Sequence, residues 1–278
     1  MKAAAIALVL ATGAAGACAG TGAAPTQSAR PSGGGTAPVR FATDTAHYRV
    51  ASHLVVEQDV GGQTQHSGLE LVYYLTVRIA RQGDRFRATL ALDSVPRYSG
   101  SGAVDPTVSA VRGTVFQGTL TPTGELADFS GGDSSVRFVR ELTTELKNFF
   151  PRVLAAGALP GQRWVDTTEQ QATSSSVPLT IRFVGEHEVG EPGQHLSRPA
   201  LPIRSRVDYT FSGTGSQGGQ EFRVEGTGRR LVTEYLALDG RYLGLTAADS
   251  STFTIALPAV GMTIPGRQMR ADTVTVVR

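Results

Sequence analysis

The chain has 278 residues, a formal net charge of +2 and 18% charged side chains. So even a balance excludes the concentrated positive charge by which nucleic-acid binders hold phosphate. A single cysteine excludes an internal disulfide framework, and an aromatic content of 7% is low for a glycosidase cleft, where several rings stack on sugar.

The first elements belong to export. Met1-Lys2 is followed by an apolar run from Ala3 to Thr12 and then by small residues, Gly13 to Ala17, ahead of Cys18. A positive start, a short apolar core and a small-residue cleavage region predict a signal peptide over residues 1–17. Its apolar stretch falls short of the roughly 20 residues that span a bilayer. Ala15-Gly16-Ala17-Cys18 resembles the lipobox of bacterial lipoproteins and departs from it at Ala15, where that family has leucine. The resemblance implies lipidation of Cys18, membrane attachment through that lipid, and a periplasm-facing place in the cell envelope. Acylation would also mask a thiol left without a partner in an oxidising compartment.

Residues 18–46 are rich in Gly, Ala, Ser, Thr and Pro and carry almost no large apolar side chains. A segment that cannot bury enough surface to offset its ordering entropy reads as a flexible linker. The remaining residues, 47–278, are predicted to form one domain.

From Tyr48 onward apolar and polar residues alternate between Gly, Asp and Pro, the pattern of antiparallel strands. Leu69 to Ile79 and Arg85 to Leu92 form a long-armed hairpin around Gln82-Gly83-Asp84. A second hairpin falls between Gly113 and Phe129, with Pro122-Thr123-Gly124 as its turn. Between Ser134 and Phe150 the period changes: Val139, Leu142, Leu146 and Phe149 recur at helical spacing, with Asp133 or Ser134 to cap, Pro151 to terminate, and Arg137 placed to pair with Glu141. Trp164, after a Gly-containing turn, opens the next strand. Further strands are predicted over Val177 to Val189, Ile203 to Phe211, Glu221 to Gly226, Arg230 to Leu238, Thr252 to Leu257 and Asp272 to Val277. The fold class is mainly β: a curved antiparallel sheet or half-barrel with one packed α-helix at about 134–150.

Tests for chemistry return little. Gly213, Gly215 and Gly218 fit Gly-x-Gly-x-x-Gly, but they lie between two strands, whereas a dinucleotide site needs a helix N-terminus there. The histidines His47, His53, His66, His187 and His195 are scattered. Within Glu186-His187-Glu188 a strand sends the glutamates to one face and the histidine to the other, so no local metal trio forms. No Gly-x-Ser-x-Gly elbow exists, and Ser99-Gly100-Ser101-Gly102 does not supply one. A serine could still meet histidine and aspartate in space, since triads are defined by geometry. Asp166, Glu169, Glu186 and Glu188 are carboxylates of the right type for acid–base work and nothing more. No catalytic residue, metal ligand or cofactor is predicted.

An anchor, a leash and a curved sheet with one helix on its concave side together resemble the half-barrels of periplasmic lipoprotein carriers. The resemblance implies an apolar cavity between helix and sheet for a hydrophobic ligand, with Trp164, Leu142, Leu146 and Phe149 as lining candidates. The step Leu159-Pro160-x-x-x-Trp164 also resembles uncharacterised lipoprotein domains. The competing expectation is a non-enzymatic scaffold whose sheet contacts an envelope protein. An integral outer-membrane barrel is disfavoured by the missing aromatic girdles, the C-terminal Arg278 and the amphipathic helix.

Overall fold

A computed structural model describes residues 37–100, 111–174, 177–217 and 219–277. The predicted signal peptide, Cys18 and most of the predicted linker lie outside them. The end of that linker is structured: Val39 bridges Ala158, Val39 and Phe41 are buried, and the first strand begins at Asp44 rather than after residue 46. Two apolar side chains in an otherwise polar leash are enough to pin its end to the core.

The predicted β class is what forms. One antiparallel sheet contains β1 (Asp44–Val60), β2 (Gln63–Gln82), β3 (Arg85–Gly100), β4 (Val115–Leu120), β5 (Leu126–Gly131), β6 (Arg163–Ser174), β7 (Val177–Val189), β8 (Gly193–His195), β9 (Arg198–Gln217), β10 (Gln220–Ala237), β11 (Tyr242–Leu257) and β12 (Met262–Val277). The order β5-β4-β3-β2-β1-β12-β11-β10-β9-β7-β6 leaves the sheet open, and β8 pairs with β9 off this path. Nearly every neighbour in the sheet is a neighbour in sequence, as hairpin connections require. Two pairings depart from this: β9 meets β7 with the short β8 between them in sequence, and β1 meets β12, so the N- and C-terminal strands lie side by side in mid-sheet.

One strand runs on where the sequence predicted two separate pieces. Glu221 to Gly226 and the predicted strand from Arg230, which ends at Ala237 rather than Leu238, are parts of β10, which continues through Gly226 and Gly228. Those glycines are required by what crosses them: a Cβ on Gly228 would overlap the ring of Tyr209, and one on Gly226 the ring of Phe211. Aromatic rings from β9 cover glycines in β10, a device that lets a sheet bend while its buried face stays filled.

The helix α1 (Arg137–Leu146) is shorter than the predicted 134–150. Its cap position is Val136, without a side-chain cap; Asp133 instead accepts the Ser135 N–H at 2.9 Å, closing a turn before the helix. Arg137 pairs with Glu141 at 2.7 Å, as i,i+4 spacing suggested. Phe138, Val139, Leu142 and Leu146 are buried, and Phe149 and Phe150 follow in the turn ahead of Pro151.

Buried apolar residues fall into two principal clusters. One gathers α1, residues 149–158, Val39 and Phe41 against β1 to β4 and the matching ends of β9 to β12. The other consists of strand residues alone, among them Leu54, Val56, Leu179, Phe211, Val224, Phe253 and Ile255. Strands of 16–20 residues are about three times the usual length, long enough for two cores with a boundary between them.

Candidate functional site

The boundary is polar. Between the two clusters Ser52, Arg230, Asp249, Ser251, Gln268 and Asp272 occupy inward positions and are buried. Asp272 is the hub, accepting from Ser52 Oγ at 2.7 Å, Arg270 Nε at 2.7 Å and Arg230 Nη2 at 3.0 Å. Arg270 Nη2 reaches Glu145 of α1 at 3.0 Å, which ties the helix to the sheet. Tyr209 donates to Asp249 at 2.7 Å. Burial alone would raise the Asp272 carboxyl, but Arg270 and Arg230 together hold it below the usual range. Burial also opposes the charge on Arg270, and Glu145 and Asp272 more than restore it. Glu145 and Asp249 are raised by burial, with the arginines opposing. Farther along β10, Glu234 is pushed by burial up to about 7, against the pull of Arg230 and Arg152.

A second constellation sits beside the open edge. Strand register places Trp164 of β6, His187 of β7 and Ser205 of β9 directly across from one another. The Trp164 indole stacks on the His187 ring with centroids 4.9 Å apart and planes 11° from parallel. His187 Nδ1 lies 2.8 Å from Ser205 Oγ, and its Nε2 lies 3.3 Å from Asp166 Oδ1. Serine, histidine and aspartate therefore converge, as geometry permitted and no sequence motif showed.

Convergence is not competence. A serine nucleophile needs backbone N–H groups free to hold an oxyanion. Ser205 sits inside β9, which is paired on both flanks, with β7 and with β10, so its neighbouring amides are committed to ladders. The imidazole is buried. The trio reads as a buried polar cluster in which His187 Nδ1 bonds Ser205 while its Nε2 lies near Asp166 without a hydrogen bond.

The lining candidates for a hydrophobic ligand are core residues. Leu142 and Leu146 are fully buried. The Phe149 ring contacts Tyr48, Phe150 and Tyr242 edge-on, with centroids 5.1, 5.3 and 5.4 Å away. Tyr48 donates its hydroxyl to the Tyr242 carbonyl at 2.8 Å. Trp164 belongs to the same cluster and is covered by His187. Leu142, Leu146 and Phe149 are thus brought together, but as mutual packing under the helix.

The accessible concavities lie on the opposite face. Register aligns Arg182, Thr210, Thr227, Thr252, Arg267, Glu57 and His66 in one row across seven strands. Two grooves, of about 910 and 690 Å³, share Thr210, Thr227, Thr252 and Arg267 from this row. Together they form a trough floored by threonine. At one end Arg267 bonds Glu57, which His66 approaches at 3.3 Å; at the other Arg182 makes no ion pair among the described residues. Arg229 bonds Asp208 at 2.6 Å along the wall. The Arg267 hydrogen bond holds the Glu57 carboxyl low, and the Arg229 bond does the same for Asp208.

The formal dinucleotide motif falls where the sequence put it: Gly213 and Gly215 are in β9, ahead of the turn to β10, and Gly218 lies outside the described residues. Among the described residues no group of three or more His, Cys, Asp or Glu is arranged to hold a metal, and no helix is long and apolar enough to cross a membrane. No family model and no curated protein matches the chain.

Sequence reading missed this polar belt between the two apolar clusters, yet a signal was present. Along β11 the inward phase Leu245, Ala247, Asp249, Ser251, Phe253, Ile255 breaks polar at two consecutive inward positions. Polar residues at the apolar phase of a strand mark a buried network.

Proposed function

We propose that the protein is a non-enzymatic interaction module of the bacterial cell envelope, tethered by a lipid on Cys18 and presenting its threonine-floored trough to another envelope component. The observation that carries this reading is the division of the two faces. Interlocked aromatic rings pack between helix and sheet, whereas the grooves among the described residues lie on the outward face, where hydroxyl, guanidinium and carboxylate groups stand beside apolar surface from Val184, Pro265 and Met269. Such a lining offers polar groups to fix a partner and apolar surface for it to cover.

A hydrophobic carrier would retain lipid through purification. Extraction of the purified mature protein followed by mass spectrometry is expected to yield no acyl species beyond the lipid on Cys18. A stoichiometric non-covalent lipid would displace the interaction reading in favour of a carrier. In parallel, Cys18→Ser should move the protein from the membrane fraction to the soluble fraction and remove the acyl mass; unchanged partition would remove the anchor from the proposal.

A further inference from the structure

We propose that β6 is the joining edge of a two-fold symmetric dimer, in which a second copy of this chain adds its own β6 antiparallel and makes one continuous sheet across both protomers. An open sheet has two edges, and natural proteins protect theirs by shortness, bulges or proline. The β5 edge is protected: six residues, a positive φ of 52° at Asp128, and a register shift against β4 between Gln117 and Thr119. The β6 edge lacks these three, its charges being Arg163, Asp166 and Glu169. It runs for 12 residues, about 40 Å, contains neither Pro nor Gly, and pairs with β7 without a register break.

The strand also complements itself. Val189 N–H donates to Gln162 C=O at 2.9 Å, which sets the phase of the ladder. Even-numbered residues of β6 then bond to β7, and odd-numbered residues point their N–H and C=O groups away from the sheet. A two-fold axis at Thr168 lets these odd residues bond their counterparts and keeps the inward faces continuous. That register sets Glu169 opposite the second copy's Thr167, and Asp166 opposite its Gln170. An axis at Asp166 or Glu169 would oppose like carboxylates, which is destabilising. At this axis the two Thr168 residues face each other as a pair between the inter-strand hydrogen bonds. The dimer does not depend on the anchor or on the trough having a partner.

The test uses the full chain with Cys18→Ser, which removes its only thiol. Sedimentation velocity from micromolar to hundreds of micromolar should show a concentration-dependent dimer. Thr167→Pro removes one outward N–H and adds bulk at the edge without touching the β7 ladder; it should abolish the dimer while circular dichroism and thermal midpoint hold. Thr167→Glu, which faces Glu169, should weaken dimerisation about tenfold or more, and Thr167→Glu combined with Glu169→Arg should restore it. On oxidation Thr168→Cys should cross-link two chains, while Gln170→Cys, which faces Asp166, should not. A monomer over the whole range overturns the proposal and leaves the edge to an extended segment of a different protein. A dimer that survives Thr167→Pro, or cross-links better through Gln170→Cys, overturns the edge or its register.

Discussion

Replacing Arg270 with methionine probes what holds the helix to the sheet. The guanidinium is about 8% exposed and makes charge-assisted bonds to Asp272 at 2.7 Å and to Glu145 at 3.0 Å. Methionine fills most of the same volume, so the packing loss is small and the cost is mainly two carboxylates left with less compensation. Removing one partner of a buried ion pair costs about 3–5 kcal/mol. Here Asp272 keeps Arg230 and Ser52, which places the expected loss toward the lower end, about 3 kcal/mol. For a domain of this size that lowers the melting temperature by about 6–12 °C. Urea unfolding followed by the fluorescence of Trp164, the only tryptophan, together with circular dichroism, measures it. The double variant Arg270→Met with Glu145→Leu should recover to within about 1 kcal/mol of the native protein, because replacing both members of a buried pair by apolar groups is often nearly neutral. A single variant within about 1 kcal/mol of native stability would refute the account of the belt as the tie between α1 and the sheet.

Three further outcomes follow from the same geometry. Gly228→Ala should cost about 1–3 kcal/mol in urea unfolding, since its Cβ displaces the Tyr209 ring and breaks the bond to Asp249; native stability would mean that the ring can move aside freely. Burial raises Glu234 from 4.5 to about 7, so folding takes up a proton there: its stabilising contribution is complete below the unfolded value of 4.5 and is lost as pH rises through 7. Glu234→Gln should therefore flatten the thermal midpoint between pH 4.5 and 8 and raise it at pH 8, and an unchanged profile would reject that assignment. Finally, because Ser205 has no free backbone donors beside it, activated esters should turn over at the rate of solvent alone; hydrolysis abolished by Ser205→Ala would reinstate catalysis.

The belt gives a physical reason for strands of such length. A sheet face some 50 Å along the strands that was apolar throughout would specify register only weakly, because many slipped pairings bury similar area. Asp272 distinguishes them: a slip of β12 against β1 separates it from Ser52, and a slip against β11 or β10 separates it from Arg230. Conformational specificity from buried polar groups is a known use of such networks, and here the same residues also hold Glu145 of α1. Fold and helix placement are thereby coupled through one carboxylate and two arginines.

Alternation from Tyr48 onward, turn chemistry at Gly83 and Gly124, and the shift to helical spacing at Val139, Leu142 and Leu146 were enough to establish the β class, the two early hairpins and the single helix. Those are local properties: side-chain period and backbone preference act over a few residues and leave their mark on the chain itself. The sequence could likewise remove His187 from any local metal trio, because a strand turns its neighbours to the other face. It could not say that His187 lies between Asp166 and Ser205, that Arg230 reaches past β11 to Asp272, or that the last strand pairs with the first. Period two assigns a residue to a face but not to a neighbour; the neighbour is decided by register and strand order, which depend on the whole sheet closing its cores at once. Leu142, Leu146 and Phe149 were placed in the same way, because an apolar stripe shows that a face is buried but not what it meets, and only the tertiary structure sets the rings of Tyr48 and Tyr242 against Phe149.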